Sequence, residues 1–495
     1  MGGVTNLEMI MLNRRVAVAE RRRHEPHKTW TVVLASLGVF MTALDTLVVT
    51  TSLPALRADL HSSLQSLEWT VNAYNLSFAC FLLTGAALGD RFGRRRMFTI
   101  GLLLFTGASA LAALSPTASV LVGARAVQGA GAAIVFPLSL TLISEAFPAE
   151  KRGAAIGLWG GITGLGVAFG PVIGGAVVTG ISWHWIFWLN VPVGVALIPL
   201  AARRLAESFG PRPQLDIIGL VLAGTGALAV TWGLVRANAV GWTSAEVMMT
   251  LAAGAALVGA FLAWERRAPA PMLDLGSFRD RTVAGANAVS FLMYAGLFGA
   301  LFLMSQFFQI CLGYSPLEAG VRLLPWSVPP LIVAPIAGVL ADRYGNRPFM
   351  ALGLALQALG LAWVALIASP GVGYVQVGVA LTIAGIGTSF CFPTVANAIM
   401  GAVPISEAGV ASGTNSTIRE LGGVLGVAVL ASVFARHGVY ASPATFAKGF
   451  TPALWVAVAF SGFGVLAALF TAKRQPQQQA TPALTPEPAL ANPAA

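Results

Sequence analysis

About fourteen apolar runs of roughly 17 to 25 residues, each long enough to cross the hydrocarbon layer as a helix, constrain this chain more than any other feature. Residues 30–53, 69–88, 97–114, 119–143, 153–179 and 185–202 make a first block, and 215–235 and 247–264 follow. A second block runs through 283–312, 317–341, 349–368, 373–401, 409–434 and 451–471. Of the 495 residues 56% are hydrophobic and 10% charged, where soluble domains carry about 25% charged residues. A chain so short of charge satisfies its backbone in helices that lie in lipid.

The cations give an independent test of the count, because Lys and Arg beside membrane spans stay on the cytoplasmic side. Of the 30 Lys and Arg residues, most fall in the first 29 positions, in links after even-numbered runs, or just beyond the last run. Arg57, Arg236, Arg436 and Lys448 are the exceptions in links, and Arg125, Arg322 and Arg419 lie inside runs. Both termini are therefore expected in the cytoplasm. The net charge of +10 follows from orientation, so no nucleic-acid partner is invoked. The first run is longer than the apolar core of a signal peptide and contains an acid, and it is read as retained. Cys80, Cys311 and Cys391 lack metal-ligand spacing and read as packing residues.

The chain is duplicated. Asp90-Arg91-Phe92-Gly93 and Asp342-Arg343-Tyr344-Gly345 each occupy a short basic link between apolar runs. Repeats of this kind in a hydrophobic chain mark a two-halved carrier whose substrate path lies where the halves meet. The copies are farther apart than six helices require, which makes the seventh and eighth runs an insert. The expected organisation is a basic tail over 1–29, a six-helix bundle over 30–204, a linker with two inserted helices over 205–281, a second six-helix bundle over 282–472, and a disordered tail over 473–495 rich in Pro, Ala and Gln. Ser315-Pro316-Leu317-Glu318 combines an N-cap serine, an N1 proline and an N3 glutamate, the pattern of a capping box that starts the tenth span.

Four segments carry chemistry. The first link, 88–96, holds Asp90, Arg91, Gly93 and Arg94, and its repeat holds Asp342, Arg343, Gly345 and Arg347. A topology rule asks only for cations there, not for Asp and Gly at fixed offsets. Arg125 lies mid-run with Gln128 nearby, and an arginine at that depth must face the interior and have a partner. Gly166, Gly170 and Gly174 fall on one helical stripe, with Pro171 freeing a carbonyl and Gly175 following. Asp45 is the only carboxylate well inside the first six runs. Burial disfavours its charged form, so it is either a group that holds a proton when enclosed and releases it when wetted, or one paired permanently with a cation such as Arg125.

Together these segments resemble the major facilitator superfamily and, within it, the 14-span drug:proton antiporters, over nearly the whole chain outside the tails. The resemblance implies an all-helical integral membrane fold of two six-helix bundles plus two inserted helices. It also implies proton-coupled export of organic compounds such as drugs, antibiotics or secondary metabolites. Asp45 would exchange the proton and Arg125 tune it; Asp90 would hold a cation across the bundle interface and, with Asp342, latch the cytoplasmic side. The stripe from Gly166 to Gly175 is similar to the motif that accompanies export. Asn72, Asn287, Gln306, Gln309 and Glu420 are the polar candidates for the cavity. Arg419 and Glu420, adjacent on a helix, point about 100 degrees apart and are not expected to pair, which leaves Glu420 for a cation.

The expected partners are the bilayer, protons and a small organic substrate, with a monomer sufficient for function. No cofactor, metal or catalytic constellation is expected, since there is neither a His/Cys cluster nor a phosphate-binding Gly-Lys-Ser/Thr loop. Proton-coupled uptake of a small solute, or a non-transporting sensor on the same fold, are the alternatives.

Overall fold

The computed structural model describes residues 28–147, 149–209, 216–269, 271, 275–403 and 408–472. The tail expected over 473–495 lies outside them, as does the basic tail before residue 28. Among the described residues, thirteen helices are long and apolar enough to cross a bilayer, or fourteen counting α2, which bends by 50° about residue 83.

The first half contains α1 (Lys28–Asp59), α2 (Leu64–Phe92), α3 (Arg94–Ala113), α4 (Ala118–Ala146) and α5 (Ala149–Gly180), closed by the short α6 (His184–Trp188) and α7 (Asn190–Arg204). Next come α8 (Ile217–Val240) and α9 (Ala245–Glu265). The second half has α10 (Arg281–Ile310), a span broken into α11 (Pro316–Arg322), α12 (Leu324–Ser327) and α13 (Pro329–Tyr344), then α14 (Asn346–Ile367), α15 (Tyr374–Ala402), α16 (Ala408–His437) and α17 (Pro443–Phe470). The expected runs map onto these helices in order. The tenth alone is interrupted, where Pro325, Pro329 and Pro330 deny the helix backbone donors.

Several helix starts are written in local chemistry. Ser63, Thr117, Ser244 and Ser442 each accept a backbone N–H from the first turn of the helix they precede. Ser315 and Glu318 form the reciprocal capping box that their spacing predicts.

Two six-helix bundles result. In the first, α2 packs on α4, α1 on α5, and α3 on α4 and α7; in the second, α10 packs on α16 and α17, and α14 on α15 and α17. The bundles meet along α5 against α11 and α2 against α16. The inserted α8 lies against both α2 and α16, and α9 packs on α8.

Contacts between the halves lie in the part of the molecule away from the basic links. Gln309 donates to the Thr51 carbonyl at 3.0 Å, the Leu317 amide donates to Thr179 Oγ1 at 3.1 Å, and the Arg57 guanidinium lies 3.7 Å from the centre of the Tyr440 ring. Ser327 Oγ donates to the Ala168 carbonyl at 3.0 Å, near the middle of α5. By the charge rule this is a molecule closed on its outer side, with its cleft directed to the cytoplasm.

Candidate functional site

The most enclosed polar centre of the first bundle gathers side chains from α1, α3, α4 and α7. Asp45 and Arg125 form an ion pair whose side chains are 0% and 1% exposed. Arg125 Nη1 donates to Asp45 Oδ2 and, at 2.9 Å, to Gln128 Oε1; its Nε donates to the Thr70 carbonyl at 3.2 Å. Asp45 Oδ1 accepts from Gln128 Nε2 at 3.0 Å and from Asn190 Nδ2 at 2.8 Å. Gln128 Nε2 also donates to Ser109 Oγ at 2.7 Å. The guanidinium rests 4.2 Å from the centre of the Tyr74 ring, a cation–π contact. Tyr74 Oη donates to the Thr42 carbonyl at 3.2 Å.

The partner that burial demands of Arg125 is therefore Asp45. The sequence names Gln128 beside Arg125 but assigns no role to it, to Asn190 or to Ser109. Their recruitment depends on how α3 and α7 pack on α4, which no local spacing reveals. Glu68 also differs from expectation: α2 starts at Leu64, five residues before the apolar run, so this second carboxylate is inside a helix and fully enclosed.

At the cytoplasmic turn, Gly93 has φ of 100°, and its amide closes α2 while α3 begins at the next residue. Gly345 repeats the arrangement with φ of 88°. Both positions favour the residue without a Cβ. Asp90 accepts from Arg94 Nη2 at 2.7 Å, and Arg94 Nη1 also donates to Glu145 of α4. Here the expectation of a cation across the bundle interface is corrected: Asp90 pairs within its own half, because the turn brings Arg94 back over it and the halves are apart at this end. Glu207, after α7, accepts the Arg95 amide at 2.9 Å and so caps α3 with negative charge. Arg91 lies over the Phe92 ring at 5.2 Å and Arg343 over the Tyr344 ring at 5.4 Å. The Asp342 side chain is outside the described set, and Arg347 sits in the first turn of α14.

The glycine stripe of α5 faces α1. A Cβ at Gly166 would approach the Phe40 carbonyl oxygen to 2.9 Å, and one at Gly174 the Val48 carbonyl oxygen to 2.4 Å. Gly170 lies against Leu47 in the same way. Gly175 points elsewhere, into the other half, where a Cβ would stand 2.2 Å from the Pro316 carbonyl oxygen. Gly320 of α11 returns the contact, its own Cβ position being 2.1 Å from the Pro171 carbonyl oxygen. Gly320 carries no signal in the sequence alone.

The expected cavity residues divide. Asn72 is enclosed, and neither end of its amide has a partner among the described residues. Asn287 accepts from Asn415 Nδ2 at 3.0 Å, which also donates to Ser290 Oγ at 2.8 Å. Gln306 and Gln309 lie at the outer end instead: Gln306 accepts from Tyr440 Oη at 2.6 Å, and Gln309 bonds across the seam to Thr51. Glu420 contacts Arg419 Nη2 at 3.5 Å, against the expectation that neighbours do not pair. The 100-degree argument fixes the Cβ directions, but the long guanidinium arm folds back around the helix, leaving a long, weak contact. Arg419 also lies 4.9 Å from the centre of the Tyr294 ring.

Comparison with known proteins agrees with this architecture. Residues 35–265 and 283–493 match the Major Facilitator Superfamily. The chain is 37% identical over 407 residues to multidrug resistance protein Stp of Mycobacterium tuberculosis, covering 82% of this chain and 75% of that protein. It is 34% identical over 419 residues to the tetracenomycin C resistance and export protein of Streptomyces glaucescens, covering 83% and 77%. Multidrug efflux pump LfrA of Mycolicibacterium smegmatis is 34% identical over 439 residues, with 86% and 84% covered. In fold it resembles a peptide transporter POT solved with sulfate, at TM-score 0.67, 14% identity and coverage of 90% and 96%. The inward-open xylose transporter XylE of E. coli superposes at TM-score 0.61, 17% identity and coverage of 92% and 98%. With two bundles, an inserted helix pair and a family match over nearly its full length, the chain belongs to the Major Facilitator Superfamily.

Proposed function

We propose that this multi-pass membrane protein is a drug:proton antiporter of the cell membrane, with both termini cytoplasmic, exporting organic compounds such as drugs, antibiotics or secondary metabolites. The observation that carries the reading is the enclosed Asp45–Arg125 pair with its Gln128 and Asn190 donors. An ion pair this deep tolerates two neutral outcomes, the closed pair or a protonated Asp45 with Arg125 held by other acceptors. The Thr70 carbonyl, Gln128 Oε1 and the Tyr74 ring are those acceptors. A proton entering from outside breaks the pair, and its release to the cytoplasm restores it, so proton movement alternates with the two arrangements of the first bundle.

Export, not uptake, is supported by the names of the relatives and by the α5 glycine motif. Asp90, Arg91, Gly93 and Arg94, with Asp342, Arg343, Gly345 and Arg347, act at the cytoplasmic turns. Gly166, Gly170, Pro171, Gly174 and Gly175 set how closely α5 approaches its neighbours. The segments 30–204 and 282–472 move as the two halves, with 205–281 carrying the insert, and one copy suffices. At about 2.3 kcal/mol per charge per 100 mV, one inward proton sustains roughly a 50-fold outward gradient of a neutral substrate. The test is flux in sealed liposomes: an imposed proton gradient drives substrate against its own gradient, and Asp45→Asn abolishes that drive. Equal transport with and without the gradient sinks the reading.

A further inference from the structure

Two groupings of carboxylate, guanidinium and tyrosine occur in the molecule, one in each half, and they differ in how far their polar atoms are satisfied. Asp45, Arg125 and Tyr74 are saturated by Gln128, Asn190 and the Thr42 and Thr70 carbonyls. Glu420, Arg419 and Tyr294 are not. Their ion contact is long at 3.5 Å, and Arg419 Nε has no hydrogen-bond partner among the described residues although it is shielded from solvent. Thr414 Oγ1 and Thr417 Oγ1 are in the same condition.

These unfilled groups sit on one face of α16. Leu425 and Ala428 pack with Trp69 of α2, and Leu421, Thr417 and Thr414 continue that stripe at helical spacing. The stripe therefore runs along the seam towards the first half, and Glu420 lies within electrostatic reach of Tyr74. Beside it Tyr294 stacks on Phe298 with centroids 5.1 Å apart and meets Phe392 edge-on at 5.9 Å. The neighbourhood offers an aromatic platform and donors in excess of acceptors. Because the guanidinium already occupies the Tyr294 face, it is unsuited to a second cation.

We propose that Arg419, Thr414 and Thr417, with the Tyr294–Phe298 platform, recognise an aromatic acid: a planar ring system carrying a carboxylate or phenolate oxygen. This rests on the reading of the cleft as the substrate path. The ligand oxyanion takes the guanidinium fork, its ring lies against the aromatic platform, and Glu420 is the internal stand-in that holds Arg419 when no ligand is present. Removing the charge of Glu420 therefore strengthens binding, whereas removing Arg419 abolishes the preference for an anion.

The test is equilibrium binding to the full chain in lipid nanodiscs at fixed pH, using anthraquinone-2-carboxylate, its carboxamide and ethidium. The carboxylate is expected to bind at least about tenfold tighter than the carboxamide. Arg419→Gln removes that ratio without weakening ethidium, and Glu420→Gln raises carboxylate affinity severalfold. Comparing ratios within one variant keeps the result readable if part of a preparation is misfolded. A wild-type protein that binds the carboxylate no tighter than the carboxamide, absence of binding included, overturns the proposal, as does a ratio unmoved by both substitutions. Ethidium flux driven by a proton gradient in liposomes is measured in parallel. Its absence beside the expected binding pattern rejects the export reading alone, and its presence without the pattern rejects the aromatic-acid site alone.

Discussion

Asp45 accepts hydrogen bonds from Arg125, Gln128 and Asn190 while excluded from solvent. Losing one member of such a pair leaves an uncompensated charge, at a cost of about 3–5 kcal/mol, whereas replacing both with apolar groups of similar size is often neutral. Arg125→Met is thus expected to lower the thermal midpoint in detergent sharply, and Asp45→Leu combined with Arg125→Met to recover most of the loss while remaining inactive in transport. Recovery of stability without recovery of flux separates a coupling role from a structural one; a double variant as unstable as the single one would show that the pair is not what fails. Asp45 and Arg125 are legible in sequence because a charge in an apolar run has no innocent explanation. Gln128, Asn190 and Ser109 are not, since uncharged polar residues are common in membrane helices and only their convergence singles them out.

A turn between two helices shows the same boundary of legibility. The Asp-Arg-aromatic-Gly spacing announces a tight turn, and Gly93 has φ of 100° with a Cβ position 2.8 Å from the Glu207 carboxyl. Backbone strain of this kind costs on the order of 1–3 kcal/mol. Gly93→Ala is expected to lose stability of that order by thermal unfolding, and Gly107→Ala, where a Cβ meets nothing within 4 Å, to lose none. Glu207 and Glu145 were hidden because they join the turn from distant segments. At the outer seam, Gly175 and Gly320 each face opposing backbone, so neither tolerates a side chain without separation of α5 from α11. In Gly320→Val with Cys311→Ser and Gln309→Cys, an impermeant maleimide added outside is expected to label residue 309 faster than in the same background with Gly320. Unchanged labelling would mean that the seam is held elsewhere.

On the scale of the whole molecule, the insert is readable from the repeat spacing, but its seat against α2 and α16 is not, because both inserted helices are apolar on every side and advertise no particular partner. Cys80 and a Cβ built at Gly224 lie 3.9 Å apart, within the separation a disulfide spans. Oxidised Gly224→Cys is expected to form that bond and still transport, as α8 then stays with the first half to which a short link ties it. Transport lost on oxidation and regained on reduction would place the sliding surface between α2 and α8 instead.

The closed outer seam, tied by Gln309 to Thr51 and by Arg57 to Tyr440, has a pharmacological consequence. A blocker that cannot permeate the bilayer finds no entrance from the medium in this conformation and meets the protein only during the fraction of the cycle spent in the opposite arrangement. Its potency should rise with turnover, whereas a permeant blocker reaching the cavity from the cell interior should act just as well on a resting pump.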